Sequence, residues 1–300
     1  MCGIVGLHLR DSALHPLLGT LLTGMLDQVS ERGPDSAGVG IYGDPILTPR
    51  GISTVSLLDP GIGAAKAADA LAAVLPASAS PTVAAAGEVL VACAPVSIAV
   101  LTAAVAAAVP AGRIIGHGAE SVVIKGTGHP SAWARTIDLP SRTGWQGVGH
   151  TRMATESAVT SAHCHPFSVA ADMCLVHNGS FSNHATVRRE LQAAGAVFDS
   201  DNDSEVAARF LASQLAAGVD LEKSLRLLGE RLDGFYTLVV TTADSFAVVR
   251  DRVACKPAII AETDGWVAVA SEYRALAHLP GVETARVFEP APEEVYAWSR

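Results

Sequence analysis

The chain has 300 residues, of which 49% are hydrophobic and 17% are charged, and its formal net charge is −9 at pH 7. This composition supplies enough apolar surface for one large domain or a domain with an insertion, and it excludes a disordered chain. The negative charge makes phosphate backbones and anionic membranes poor partners, so we expect no nucleic acid and no membrane.

Cysteine usage and the N-terminal residues favour a cytoplasmic location. Five cysteines are scattered along the chain without a CxxC pair, which argues against a disulfide framework and for a reducing compartment. No basic segment precedes an apolar run at the start, so no signal peptide is predicted. The most apolar stretch, "VSIAVLTAAVAAAV", is bounded by prolines and is too short to span a bilayer.

The first 43 residues predict a strand, a helix and a second strand. Residues 2–9 alternate as a strand does, and apolar residues recur at helical spacing over 17–29, after Pro16 and before Gly33. "GVGIYG" predicts the second strand. Residues 44–146 then change to Ala-rich helical stretches between short apolar strands. Their β-α-β-α-β order predicts a small inserted α/β subdomain.

The main fold is expected to resume at residue 147. "DMCLVHNGS" predicts a strand that leads into a turn, and Asn202 and Glu205 have the spacing of a capping box at the start of a helix. Two hairpins follow, the second turning on Asp264-Gly265. Strands grouped as hairpins, with helices in pairs, predict an α+β layered sandwich built from 1–43 and 147–300.

Chemistry is first suggested by Cys2. Methionine before a small residue is commonly removed, which would leave a thiol and a free α-amine on one residue. An α-amine has a pKa of about 7.7–8.0, so it can accept the proton of its own thiol. Taken alone, "MCG" is explained more simply by a buried cysteine in an edge strand than by a nucleophile.

Four further motifs follow Cys2 in order: "ERGPDSAG" (31–38), "GHTRMAT" (149–155), "HNGSFSN" (177–183) and "DNDSE" (201–205). Together with "MCGIVG" they resemble the class II glutamine amidotransferases, whose glutaminase domain is an N-terminal-nucleophile hydrolase. This resemblance implies a four-layer αββα sandwich. It also implies Cys2 as the nucleophile and glutamine as the substrate.

The resemblance assigns roles that suit the chemistry of each residue. Asn178 and the N–H of Gly179 would form the oxyanion hole, although "NG" is also a common tight-turn dipeptide. Arg152 would bind the α-carboxylate of glutamine through its planar guanidinium. Asp203 would hold the α-ammonium, although an acidic residue also suits the first turn of a helix.

Two further residues are expected to support the site. Arg32, in the loop after the first helix, would lie beside the nucleophile, and Thr155 would contact the substrate. "HPFSVAADMCLVHNG", "DGFYTLVV" and "ACKPAIIAETD" narrow the resemblance to the free-standing amidotransferase subunit of N-methylglutamate-synthase and glutamate-synthase-like complexes.

That narrower resemblance implies a hetero-oligomer. The sequence shows no GxGxxG, P-loop or cysteine-rich cluster, and no synthase domain is expected after residue 300, so this chain is expected to hold no cofactor. A glutamate-synthase-like partner, carrying FMN and iron–sulfur clusters, would receive the ammonia.

Three alternatives remain open. A zinc site at the "HCH" and "CLVH" segments is disfavoured because Cys174 and His177 would point to opposite faces of a strand, so no metal is expected. A non-catalytic glutamine sensor would keep Arg152 and Asp203 but would need no thiol. An N-terminal-nucleophile amidase for another amide would not need both of these head-group contacts. Apart from Cys2, the cysteines Cys93, Cys164, Cys174 and Cys255 are expected to be small core residues.

Overall fold

The computed structural model of the protein describes residues 2–153 and 160–300, so Met1 and the predicted substrate contact Thr155 lie outside the described residues. The helices are α1 (Leu18–Val29), α2 (Ala64–Val74), α3 (Ile98–Ala108), α4 (Pro130–Thr136), α5 (His184–Ala193), α6 (Asp203–Ala216) and α7 (Leu221–Arg231). The strands are β1 (Gly3–Leu9), β2 (Ser36–Tyr42), β3 (Ser53–Leu58), β4 (Thr82–Ala86), β5 (Val89–Ala94), β6 (Arg113–Gly118), β7 (Ser121–Thr127), β8 (Gln146–Arg152), β9 (Cys174–Phe181), β10 (Gly234–Thr241), β11 (Ser245–Arg250), β12 (Ile259–Glu262), β13 (Trp266–Ala270), β14 (Arg286–Phe288) and β15 (Val295–Ser299).

Two antiparallel sheets pack face to face and form the centre of the molecule. The larger has the order β14-β12-β13-β1-β8-β2-β7, and the smaller has the order β15-β11-β10-β9. Alternate residues of β9, Cys174 and Val176, share one buried cluster with β1 and β8 of the larger sheet. Because side chains alternate across a strand, Leu175 points the other way and packs with the helices.

Helices cover the two outer faces. The apolar stripe of α1, which includes Leu22, Met25 and Leu26, packs on β1 and β8. On the opposite side, α6 contacts β9 and α7 contacts β11 and β15, while α5 packs on α6. The layers therefore run helix, sheet, sheet, helix, which confirms the expected α+β sandwich of the αββα type.

A third sheet belongs to the inserted segment. Its order is β4-β5-β3-β6, and α2 and α3 cover one face around a core that includes Leu71, Leu90 and Leu101. Every pairing in this sheet is antiparallel, although the strand–helix order suggested an α/β arrangement. Strand β7, within the predicted 44–146 insertion, pairs with β2 in the large sheet, so the separate sheet spans only 53–118.

The sequence predicts neither the last two strands, β14 and β15, nor the exposure of Cys255. β14 and β15 form sheet edges through backbone hydrogen bonds to β12 and β11, and their exposed, mixed side chains give no alternating apolar signal. Cys255 is exposed rather than part of the core, whereas Cys93, Cys164 and Cys174 are buried as expected. Within 2–153 and 160–300, the structure contains no helix with the length and apolar character needed to cross a bilayer.

Candidate active site

One cavity of about 530 Å³ brings together most of the residues that the motifs predicted. Its lining includes five of the predicted site residues: Cys2, Arg152, Asn178, Gly179 and Asp203. They come from the start of β1, the end of β8, the end of β9 and the first turn of α6. The fold thus gathers a thiol, a guanidinium, a carboxamide, a backbone N–H and a carboxylate from segments about 200 residues apart in sequence.

The backbone of Cys2 is held by two of the other predicted residues. Arg32 Nε donates to the Cys2 carbonyl oxygen at 3.0 Å, and Asn178 Nδ2 donates to the same oxygen at 3.2 Å. Arg32 Nη1 also pairs with Glu272 at 2.9 Å, which anchors the guanidinium. The structure therefore places Arg32 behind the half-buried Cys2 as a positioning residue.

Asn178 and Gly179 lie inside a strand and not in a tight turn. They pair with Thr237 and Tyr236 of β10, so the turn interpretation of "NG" is excluded. Gly179 has φ +150°, and a Cβ there would lie 2.0 Å from the carbonyl oxygen of Phe235. Only glycine allows the two strands to approach so closely at the cavity wall.

The "RGPDSAG" loop packs along the end of β8 that carries Arg152. Pro34 forms a β-bridge with Arg152, and the Asp35 N–H donates to the Arg152 carbonyl at 3.2 Å. A Cβ on Gly33 would lie 2.5 Å from the Arg152 nitrogen, so glycine is needed for this contact. Arg152 itself is 8% exposed and lines the cavity, where its charge is screened little by solvent.

Asp203 is fixed at the start of α6. Its Oδ2 accepts a hydrogen bond from the Phe181 N–H at 2.8 Å, and its Oδ1 lies 3.8 Å from His177 Nδ1. The side chain is 20% exposed and lines the cavity. A carboxylate at a helix N-terminus is stabilised by the helix dipole, so Asp203 can serve the helix and the cavity together.

The predicted capping box beside Asp203 forms only in part. Asn202 caps α6 as expected, since its side chain accepts from the Ser204 N–H at 2.9 Å. Glu205, however, accepts from the N–H groups of Asp199 and Ser200 at 2.9 and 2.8 Å instead of returning to Asn202. The carboxylate of Glu205 thus fixes the loop that leads into the site.

A buried histidine network in the cavity wall was not predicted as a unit. His165 Nε2 and His177 Nδ1 lie 2.9 and 2.7 Å from Ser204 Oγ, and His150 Nε2 donates to the His177 carbonyl at 3.1 Å. A hydroxyl donates only one hydrogen bond, so at least one of the two imidazoles donates to Ser204. The network holds the first turn of α6, and with it Asp203, against β9.

Burial keeps these histidines neutral. Desolvation lowers the pKa of His150 to about 3 and lowers the pKa of His165 well below its usual value. Desolvation also lowers the pKa of His177, against the opposing charge of Asp203. In the part of the chain that the structure describes, no group of three or more His, Cys, Asp or Glu side chains is arranged to hold a metal ion.

We expect the stability of the protein to fall as the pH drops below about 6.5. The folded pKa of His150 lies below the unfolded value of 6.5, so its contribution is fully present above pH 6.5 and is lost as the pH falls towards 3. At pH 5 the loss is about 2 kcal/mol for this one histidine. His150→Gln, which keeps a side-chain N–H, should flatten the fall in unfolding free energy measured by urea titration. His129→Gln, at an exposed histidine, should leave it unchanged, and equal slopes in both variants would contradict this account.

Two further residues line the cavity, and no sequence motif indicates them. Lys256 lines the cavity from the loop before β12, and His184 lines it from the start of α5. Their side chains could contact the polar part of a ligand, but single Lys and His residues in loops are too common to stand out in a sequence. Lys256 is held beside β10 by the hydrogen bond from Thr237 to its carbonyl, and His184 is held at the end of β9 by the hydrogen bond from its Nδ1 to the Phe181 carbonyl.

Comparison with known proteins shows similarity to glutamine amidotransferases along most of the chain. The family described as "Glutamine amidotransferase domain" matches residues 150–278. The glutamine amidotransferase-like protein GlxB of Rhizobium meliloti is 48% identical over 99% of this chain and 98% of its own length. A putative glutamine amidotransferase of Methanothermobacter thermautotrophicus is 30% identical over 98% of both chains.

Among solved structures, the glutamine phosphoribosylpyrophosphate amidotransferase from B. subtilis, complexed with ADP and GMP, has a TM-score of 0.60 with 17% identity. The match covers 99% of this chain but only 49% of that one, so this chain spans about half the length of that enzyme. The similarity supports the fold, whereas a fold shared at this level of identity assigns no activity.

Proposed function

Because the chain belongs to the class II glutamine amidotransferases, we propose that it hydrolyses glutamine to glutamate and ammonia in the cavity around Cys2. The observation that carries the proposal is the joint placement of Cys2, Asn178, Gly179, Arg152 and Asp203 around one cavity of about 530 Å³. These groups supply a nucleophile, two oxyanion donors and two opposite charges for an amino-acid head group. Such a set suits acyl transfer from a carboxamide.

The proposed reaction starts after removal of Met1. The Cys2 thiol passes its proton to its own α-amine, and Sγ attacks the amide carbon of glutamine. Asn178 Nδ2 and the Gly179 N–H stabilise the oxyanion. The C–N bond then breaks, the α-ammonium gives its proton to the leaving ammonia, and a γ-glutamyl thioester remains. Water, deprotonated by the same amine, cleaves the thioester and releases glutamate.

Arg152 and Asp203 are proposed to orient the substrate. Arg152 binds the α-carboxylate and Asp203 binds the α-ammonium, and both charges lie at the cavity wall with little solvent around them. Charged pairs in such surroundings are stronger than pairs at an open surface. They would therefore select an α-amino acid over a simple amide.

We expect Asp203→Asn to raise KM for glutamine by about tenfold to a hundredfold, since a charge-assisted hydrogen bond to the α-ammonium is lost. The amide oxygen of Asn can still accept from Phe181, so the start of α6 should persist. Steady-state kinetics with glutamine and with glutaramate, which lacks the α-amine, measure the effect. The variant should lose activity with glutamine but not with glutaramate. Equal losses would favour an amidase that acts on other amides.

We further propose that the ammonia is used by a partner chain. The motifs of the narrower resemblance support a glutamate-synthase-like or N-methylglutamate-synthase partner with FMN and iron–sulfur clusters, in a reducing cytoplasm. Purification of the tagged chain from its native cells tests this proposal. A larger synthase chain with flavin and iron–sulfur absorbance should copurify, and elution without such a chain would reject the partner.

The direct test of the activity is release of glutamate and ammonia from glutamine by the purified chain, with and without the copurified partner. Stoichiometric amounts of the two products are expected. Absence of both products in either form would reject the proposed reaction and would favour a glutamine-binding subunit without catalysis.

A further inference from the structure

A second cavity, of about 580 Å³, lies between the inserted segment and the main sandwich. Helix α3 and strand β6 form one wall, and strand β7, the 162–169 loop and the 199–209 segment form the other. Among residues 2–153 and 160–300, none lines both this cavity and the cavity around Cys2. It is therefore a separate site, which the proposed glutaminase reaction does not use.

A buried cation faces this cavity. Lys125 is 3% exposed, and its ammonium lies 4.9 Å from the centre of the Phe167 ring, which also lines the cavity. Among the described residues, the Lys125 ammonium has no hydrogen-bond acceptor and no carboxylate within ion-pair distance. Burial lowers the pKa of Lys125 to about 8, so the charged form still dominates at neutral pH. Glu205, which lines the same cavity, stabilises the ammonium at longer range, but a buried ammonium without a direct ion pair is costly and is unusual for a lysine placed only for packing.

Two hydroxyl groups in the same cavity also lack partners. Ser168 Oγ and Thr102 Oγ1 are buried and make no hydrogen bond within the described residues. Ser168 comes from the main sandwich and Thr102 from α3 of the inserted segment. Buried polar groups are nearly always paired, so two unpaired hydroxyls in a cavity that also holds the Lys125 ammonium indicate a missing hydrogen-bonding ligand.

The remaining charges of the cavity leave the net field positive. Arg209 pairs with Glu205 and Asp199, each at 2.9 Å, so this group of three side chains carries a net charge of −1, which is smaller than the combined charge of Lys125 and Arg113. Arg113 adds a cation at the exposed rim, where its Nη1 makes only a long contact of 3.4 Å with the Asp199 carbonyl. Burial lowers the pKa of His117, so that histidine is neutral.

We propose that this cavity binds a small oxyanion, a carboxylate or phosphate group of a small metabolite, through Lys125, Ser168 and Thr102. The ammonium neutralises the charge of the ligand, and the two hydroxyls donate to its oxygens. The ligand would connect the inserted segment with the main sandwich, because its contacts come from both.

Isothermal titration calorimetry of the full chain with inorganic phosphate and with succinate tests the proposal and separates the two sources of oxyanion. At least one probe should bind the unmodified protein at millimolar concentration or below. Lys125→Met should weaken that binding by at least about tenfold, whereas Lys66→Met, which removes an exposed lysine of α2, should not change it. Binding of neither probe to the unmodified protein would overturn the proposal.

Two milder variants keep the test decisive if Lys125→Met fails to fold. Ser168→Ala and Thr102→Val each remove one hydroxyl, and each should weaken binding about threefold to tenfold. Unchanged affinity in both hydroxyl variants, or equal affinity in Lys125→Met and Lys66→Met, would overturn the proposed site. Activity with glutamine is not needed for any of these measurements, so failure here leaves the proposed reaction intact.

Discussion

Replacement of Cys2 by alanine should lower kcat for glutamine hydrolysis by about 10⁴-fold or more, since loss of a covalent nucleophile removes the acyl-enzyme route entirely. The side chains of Arg32 and Asn178 would still donate to the carbonyl of residue 2, because this carbonyl belongs to the backbone and is kept in the variant. Binding of glutamine through Arg152 and Asp203 should therefore persist. Turnover and calorimetric binding of glutamine, measured on the same preparation, separate chemistry from recognition.

Cys255→Ala is the matched control. Cys255 is the one exposed cysteine of the five, and it does not line the cavity, so its loss should leave turnover unchanged. Unchanged turnover in Cys2→Ala would reject the nucleophile. Retained glutamine binding without turnover in the unmodified protein would instead favour a glutamine sensor.

Replacement of Asn178 by alanine should lower kcat by about 10²–10³-fold, which is the usual effect of losing one oxyanion-hole donor. Asn178 is 3% exposed, and its amide has two hydrogens, of which one is directed at the Cys2 carbonyl. The other is free for an oxyanion that forms only during reaction. KM should change little, because the donor acts on the transition state more than on bound glutamine.

Asn183→Ala provides the comparison for this effect. Asn183 lies near the end of the same motif, but its side chain bonds to the backbone of Arg231 and Asp233, away from the cavity. Its replacement should affect stability and leave kcat close to that of the unmodified protein. A higher KM with unchanged kcat in Asn178→Ala would contradict the oxyanion role.

The sandwich could be predicted because its signals are local. The apolar stripe of α1 and the paired strands β10–β11 and β12–β13 follow from periodicity and short turns. The clustering of Cys2, Asn178, Arg152 and Asp203 was expected only from the order of the motifs, since no single motif fixes a contact across 200 residues. Gly179 shows the limit of local reasoning: "NG" suggests a turn, but strand pairing with β10 overrides that preference.

Other features depend on tertiary contacts that leave no pattern. The histidines of the buried network are separated by 12 and 15 residues, and only the packing of β8 and β9 brings their rings together. Strand β15 is specified by backbone pairing to β11, and its mixed side chains give no alternation. Lys125 sits in an apolar strand, where a single lysine would normally indicate an exposed position.

The most direct measurement is the intact mass of the purified protein before and after brief exposure to a glutamine analogue with an electrophilic ketone at the amide position, followed by peptide mapping. We expect a mature chain that lacks Met1 and carries one label, on Cys2. A chain that retains Met1 and still hydrolyses glutamine, or a label on another residue, would contradict the claim that one terminal residue supplies both thiol and base.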